Sequence, residues 1–296
     1  MIKNLRKRFI LFSVLVISSI LIIIGLFIFI GSSSDLPVHR YAITLSFAIV
    51  MVFIGSWLLS KAAIRPIQAA WQKQLDFTAD ASHELRTPIS VIQTNLEVVM
   101  DSPKETIESQ MKWLKNIDAE NKRMAKLVED LLTLSRADTN QQTLEKETFM
   151  LDESVWEALA PFEPIAREKN IELKISVNEK FAFYGDQTRI KQLLVILVDN
   201  ALNYTDGPGM VAVSLNRSEK EITLTISDTG RGIEAKDQGK LFDRFYRATK
   251  TRNLNPDGSG LGLSIAKWIV TEHRGTIQVK SAIDVGTTFI VRLPNL

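Results

Sequence analysis

Two uncharged stretches, Phe9 to Ile30 and Tyr41 to Ser60, open the chain, and after them apolar residues return every three or four positions, the period of a helix with one buried face. At about 1.5 Å per residue the first stretch would cross a hydrocarbon core of roughly 30 Å. Both are therefore expected as transmembrane helices, 9–30 and 41–60, joined by a turn of ten residues. A cleaved signal peptide is the rival reading of the first, but its apolar region runs to only about 7–15 residues. Lys3, Arg6, Lys7 and Arg8 precede the first stretch, only Arg40 lies in the turn, and Lys61, Arg65 and Lys73 follow the second. That asymmetry predicts a multi-pass protein of the cell membrane with both chain ends in the cytoplasm.

From Lys61 to about Asp138 there is no glycine. Leu85, Ile89, Ile92, Leu96 and Val99 follow one another at spacings of 4, 3, 4 and 3, a heptad seam. Asp101-Ser102-Pro103 breaks it, and Ile107, Met111, Leu114 and Ile117, then Met124, Leu127, Leu131 and Leu134, resume it. The pattern predicts a helical hairpin with a stripe on each arm. Two arms cannot bury both stripes alone, so two hairpins pairing into a four-helix bundle, a homodimer, are expected. Beyond the polar Thr139-Asn140-Gln141-Gln142, alternation predicts strands over 171–177, 211–215, 221–227, 276–280 and 288–293, with a helix over 187–203. These make an α+β sandwich, a mixed sheet covered on one face by helices.

Charge and composition narrow the chemistry. Among 296 residues there is no cysteine, which excludes disulfides, thiolate metal centres and thiol nucleophiles. The three histidines, His39, His83 and His273, stand too far apart in sequence to suggest a shared metal. Five basic groups against Asp35 give residues 1–60 a net charge of +4, so of the chain's +2 the remaining residues carry −2. A mildly acidic C-terminal part lacks the footprint of a direct nucleic-acid binder.

His83 precedes Leu85 by two residues, about 200° round a helix, and so points away from the seam. A satisfied or neutral surface histidine is the ordinary reading of such a residue. Here Glu84 adjoins it, Thr87 lies four residues on near the same face, and Pro88 interrupts the helix hydrogen bonding. A neutral imidazole offers one ring nitrogen as nucleophile while a carboxylate takes or orients the proton on the other, a combination suited to accepting a phosphoryl group. Farther on, Asp228-Thr229-Gly230-Arg231-Gly232-Ile233 closes a strand, and Gly258-Ser259-Gly260-Leu261-Gly262-Leu263 opens a helix whose free N–H groups can face phosphates. No glycine-lysine-serine/threonine element is present, and the second glycine run lacks the dinucleotide spacing, so P-loop and Rossmann readings drop out.

The segment Phe77-Thr78-Ala79-Asp80-Ala81-Ser82-His83-Glu84-Leu85-Arg86-Thr87-Pro88-Ile89 closely resembles the phosphoacceptor box of bacterial two-component sensor histidine kinases. That resemblance implies His83 as phosphoacceptor, Glu84 as general base and Thr87 as the residue that positions water for dephosphorylating the partner. Val198-Asp199-Asn200-Ala201-Leu202-Asn203-Tyr204-Thr205 resembles the N box of the same kinases' ATP-binding domain, a fold shared with gyrase, Hsp90 chaperones and mismatch-repair ATPases. There Asn200 would hold Mg²⁺ and Tyr204 would line the nucleotide. Asp228, Gly230 and Gly232 resemble the first glycine box, whose aspartate binds the adenine amino group. Leu241 to Arg247, with Phe245, resembles the F box; Gly258, Gly260, Leu261 and Gly262 the second glycine box; and Val285 to Phe289, with Thr288, the last strand signature. The resemblance covers roughly residues 65–296 and implies ATP and Mg²⁺ as cofactors and a cytoplasmic response regulator as partner.

Ile196 stands where many relatives carry a further asparagine and Asn203 where lysine or arginine is common, which implies thinner Mg²⁺ and phosphate contacts. His273 is expected as a helix cap or surface group, and Ala248 to Asp257 as a lid over the nucleotide. The expected division is a cytoplasmic N-terminus 1–8, spans 9–30 and 41–60 about an extracytoplasmic turn 31–40, and a juxtamembrane helix 61–76. A dimerisation and phosphotransfer hairpin 77–138, a linker 139–147 and a catalytic domain 148–296 follow. With so short an outer turn, input would arrive within the membrane or from a partner membrane protein. A conformational ATPase of the same fold would need no phosphoacceptor, and the His83 box argues against it; a scaffold that binds nucleotide without transfer is the alternative that Ile196 and Asn203 leave open, and retained phosphotransfer would exclude it.

Overall fold

The computed structural model of the protein describes residues 13–15, 17–26, 38–138, 144–177, 180–248 and 258–295. The expected lid lies outside them except for Ala248, as do residues 139–143 of the expected linker. The chain divides into two units, residues 1–79 and 80–296.

In the first unit, residues 13–15 and 17–26 are helical, and helix α1, Val38–Asp101, begins. The hydroxyls of Ser13 and Ser56 hydrogen-bond, and Ser56 and Ile64 are buried. The two expected transmembrane helices are corrected here: among the described residues no helix is long and apolar enough to cross a membrane. The second stretch forms no helix of its own but the opening of 64-residue α1, which runs on without a break past Lys61.

The second unit starts with the end of α1, which turns back into α2, Ile107–Asp138. The turn has its own polar lock, since Gln110 Nε2 donates to the carbonyls of Ser102 (2.8 Å) and Val99 (3.3 Å). Farther along, Asn116 Nδ2 donates to Asn95 Oδ1 (3.2 Å), whose own amide donates to Val91 O, tying the arms together. Ile89, Leu96, Met100, Ile107 and Met111, which include stripe residues of both arms, are exposed in the single chain.

The α+β domain follows as β1 (Glu147–Met150), α3 (Leu151–Leu159), α4 (Phe162–Glu168), β2 (Ile171–Val177), β3 (Ala182–Gly185), α5 (Gln187–Tyr204), β4 (Gly209–Arg217), β5 (Glu221–Asp228), α6 (Ala235–Gln238), α7 (Gly262–Glu272), β6 (Thr276–Ala282) and β7 (Gly286–Pro294). Five strands form one sheet in the order β2-β4-β5-β7-β6, parallel only between β2 and β4, while β1 and β3 pair apart. Alternate residues of β5 and β7, such as Ile226 and Val291, are buried beneath α5 and α7. Leu193, Leu197, Ile265 and Ile269 lose all exposure there, and each such side chain contributes about 1.5–3 kcal/mol. Asp186 caps α5 by accepting from Arg189 N at 3.0 Å. This places the end of β5 and the start of α7 side by side at one rim of the sheet.

Candidate functional site

At that rim opens a cleft of about 940 Å³. Its α+β wall contains Asn200 and Tyr204 of α5, Asp228 at the end of β5, Gly232 after it, and Gly258, Gly260 and Gly262 before and at the start of α7. Its other wall comes from the hairpin: Glu84 on α1, and Glu120, Arg123, Lys126 and Asp130 on α2. The hairpin is held there by apolar packing, since α2 lies against α7, and Leu127 and Leu134 are buried in one cluster with Ile265 and Ile269. Leu85 and Leu131 pack onto that cluster from the same side. His83 is exposed, Glu84 half-buried and Thr87 exposed, and of the three only Glu84 lines the cleft.

Asp228 ends β5 with its carboxylate fixed. Its Oδ1 accepts from Gly230 N (2.9 Å) and Thr287 N (3.1 Å), while Oδ2 accepts from none of the described residues. Burial pushes this carboxyl up, against the two backbone donors that pull it down. Gly230 must be glycine, because a Cβ there would run into the carbonyl of Tyr204. Gly260, at φ +71°, lies with Cβ space only 2.8–2.9 Å from the backbone of Phe245, so that the second glycine run and the aromatic segment interlock. Phe245 itself packs on the core rather than lining the cleft, and Leu261 is fully buried beneath it. The start of α7 has no side-chain cap, so its first N–H groups are available to an anion.

Asn200 donates from Nδ2 to Ile196 O (2.8 Å), which orients the amide and leaves Oδ1 as an acceptor beside the cleft. A hard amide oxygen on a fixed side chain fits Mg²⁺. Asn203 has a cation behind it: Lys169 Nζ donates to Asn203 Oδ1 (2.9 Å) and to Leu202 O (3.1 Å), although Lys169 is not part of the lining. The threonine at the cleft is Thr287. Thr288 alternates to the other side of β7 and shares a hydroxyl hydrogen bond with Ser227 at 2.9 Å.

Several cleft residues escape sequence reasoning. Asp130 is buried on α2 and its carboxyl is pushed up to about 6, chiefly by burial, with Lys126 opposing and Glu129 adding to the rise. Glu120 Oε2 is buried without a hydrogen bond, 3.7 Å from Arg123 Nη1 in an ion pair. Arg231 grips Asp206 through Nε (2.7 Å) and Nη2 (3.2 Å) at the rim, holding the Asp206 carboxyl below its ordinary range. Arg231 lies within the first glycine run without standing out in it, whereas Glu120, Arg123, Lys126 and Asp130 stand in no recognisable motif, and only the helix period could have put them towards one side of α2. His273 caps α7 as expected but is buried, accepting from Asp186 N at Nε2 (3.0 Å) and bonded through Nδ1 to Ile269 O (2.8 Å).

A helical hairpin with an exposed histidine beside a mixed-sheet domain whose glycine loops frame one cleft defines an ATP-dependent histidine kinase architecture. Residues 73–140 match the His Kinase A (phospho-acceptor) domain, and residues 185–296 match the Histidine kinase-, DNA gyrase B-, and HSP90-like ATPase family. Sensor histidine kinase RppB of Synechocystis sp. is 33% identical over 249 residues, 83% of this chain and 55% of that protein. The structure of Acinetobacter baumannii histidine kinase AdeS matches with TM-score 0.59 and 29% identity over 72% of this chain and 97% of that one. Histidine kinase ThkA, in a crystal structure with response regulator protein TrrA, matches with TM-score 0.61 and 27% identity over 77% of this chain and 64% of that one. The chain belongs to the sensor histidine kinases of two-component systems. It spans about half the length of the curated relatives it matches.

Proposed function

We propose that this chain binds Mg·ATP in the cleft, transfers the γ-phosphoryl group to His83, and passes it on to an aspartate of a response regulator. The observation that carries this is Glu84, adjacent to His83, sharing one cleft with Asn200, Asp228 and the glycine loops. Asp228 Oδ2 is the acceptor for the adenine amino group, and the N–H groups opening α7 face the phosphates. Asn200 Oδ1 would hold Mg²⁺, which offsets charge on the transferring group. A His83 ring nitrogen attacks phosphorus in line as the bond to the ADP oxygen breaks, and Glu84 takes the proton from the other ring nitrogen. The exposed stripes, with Ile89 and Leu96, support a homodimer through a four-helix bundle.

Incubating the full chain with γ-labelled ATP and Mg²⁺ tests the kinase reading. Acid-labile label on wild type and none on His83→Gln is expected; nucleotide binding without label would overturn it. Thr87, exposed one turn beyond His83, supports a phosphatase role towards the phosphorylated regulator. Thr87→Ala should slow regulator dephosphorylation at least several-fold while leaving autophosphorylation in place.

A further inference from the structure

Two asparagine amides on α5 present opposite ends to the cleft that both of them line. Asn200 commits Nδ2 to Ile196 O (2.8 Å) and keeps Oδ1, whereas Asn203 commits Oδ1 to Lys169 Nζ (2.9 Å) and keeps Nδ2. We infer that Lys169 is a positioning residue for nucleotide binding: by holding Asn203 Oδ1 it turns the Nδ2 hydrogens towards a phosphate oxygen, beside the Mg²⁺ that Asn200 Oδ1 would hold. This rests on the kinase reading and adds a donor for the polyphosphate together with the cation that fixes it.

Chemistry sets the orientation of the Asn203 amide. An ammonium carries three donors and no acceptor, so only the oxygen end of the amide can face Lys169. Nδ2 has no hydrogen-bond partner among the described residues. Lys169 reaches Asn203 from behind the cleft and does not line it. Its backbone is anchored, because Lys169 closes α4 by donating its N–H to Ile165 O (3.1 Å), and a Cβ on Gly207 would run into its carbonyl. Its Nζ also donates to Leu202 O (3.1 Å), a last-turn carbonyl of α5, so two contacts hold the ammonium at this helix end. A positive charge on Oδ1 polarises the amide and makes its N–H groups stronger donors. Residues three apart on a helix are neighbours, about 5–6 Å between Cβ atoms. One turn of α5 therefore offers an acceptor suited to a hard cation and a donor suited to an anionic oxygen, the complement of a metal-bound polyphosphate.

Displacement of a fluorescent adenine nucleotide from the full chain, with ATP or AMP as competitor and Mg²⁺ present, tests this. Asn203→Asp keeps an oxygen for Lys169 and strengthens that contact, but puts a carboxylate oxygen where the N–H₂ group was. ATP binding should weaken about fivefold or more, and AMP binding by less than about twofold. ATP binding as in wild type would overturn the inference. Equal losses for ATP and AMP would also overturn it, by placing Asn203 at the ribose or the base. Lys169 is exposed, so Lys169→Met leaves the fold intact and isolates the positioning effect. It should weaken ATP binding about 2–5-fold and have no further effect in an Asn203→Ala background. The same loss in that background would mean that Lys169 acts through its own charge or through the end of α5, which again overturns the inference. A wild-type chain that binds neither nucleotide would defeat the kinase reading itself, a result distinct from all of these.

Discussion

Arg244 and Asp138 form a two-pronged ion pair, Nη1 to Oδ2 at 2.7 Å and Nη2 to Oδ1 at 2.6 Å, that joins the aromatic segment of the nucleotide domain to the last residue of helix α2. The fork matches the carboxylate geometrically, and both groups keep part of their exposure, 30% and 47%, so the pair adds little to global stability, on the order of 0–1 kcal/mol. Its consequence is positional, because Asp138 is the point from which the nucleotide domain departs. Asp138→Asn should leave the melting temperature nearly unchanged yet slow autophosphorylation about 2–5-fold, the rate equivalent of up to about 1 kcal/mol. The exchanged pair Asp138→Arg, Arg244→Asp should recover part of that rate. Equal rates in all three forms would show that the pair does not position the domain.

Asp228 carries the clearest expectation for nucleotide affinity. With Oδ1 committed to Gly230 N and Thr287 N, Oδ2 is the oxygen left to meet a ligand donor. Asp228→Asn puts an N–H₂ group into a place built for acceptors. ATP binding should weaken by about 10–150-fold, equivalent to roughly 1.5–3 kcal/mol for a hydrogen bond to a charged group. Titration with a fluorescent adenine nucleotide checks it, and the variant's unfolding should remain cooperative.

His273 makes stability depend on pH. Its ring is buried between two backbone groups, Asp186 N donating to Nε2 and Ile269 O facing Nδ1, an arrangement that needs the neutral Nδ1–H form. Burial lowers its pKa below 6.5, with nearby Lys146 in the same sense and Ile269 O, Asp186 and Glu272 opposing. The folded value is the depressed one, so this stability is fully present above pH 6.5 and is lost as pH falls through the folded value. Melting temperatures at pH 7.5 and 5 should show the drop. His273→Gln, less stable at pH 7.5, should lose less on the same acidification.

Local chemistry was legible in the order of residues; what depends on the third dimension was not. The box around His83, Asn200 in α5, and Asp228 with its glycines could be placed because each ties a residue type to a helix face or a strand end over a few positions. Thr287 was missed in favour of Thr288 because strand parity decides which of two adjacent threonines faces Asp228, and parity follows from pairing with β5. Lys169 beside Asn203 and Arg244 on Asp138 are contacts across 34 and 106 positions, beyond any local pattern. His273 looked like a surface cap because nothing nearby in sequence announces that Phe183 and Gly185 close over it. The uncharged stretches misled in the opposite way. Lack of charge reads as a span, whereas the described helices are not both long and apolar enough to cross a membrane.

Asp130 marks the hairpin wall of the cleft as a place where stability is given up. Its carboxyl is buried on α2 with no described hydrogen-bond donor, and its pKa rises from 3.8 to about 6, mainly through burial. A raised folded value means the opposite pH dependence to His273: the contribution is fully present below pH 3.8 and is lost as pH rises through about 6. At pH 7.5 the wild-type protein therefore holds an ionised carboxylate out of water. Asp130→Asn keeps the shape and removes the charge, so it should stabilise the fold at pH 7.5 by roughly 1–3 kcal/mol. At pH 5 the folded group is mostly protonated but the unfolded one is still ionised, so the advantage should shrink to about half, and it should vanish only below pH 3.8. Denaturant unfolding of both forms at the two pH values tests this, and a gain of equal size at both would show that shape or hydrogen bonding, and not the buried charge, sets the cost.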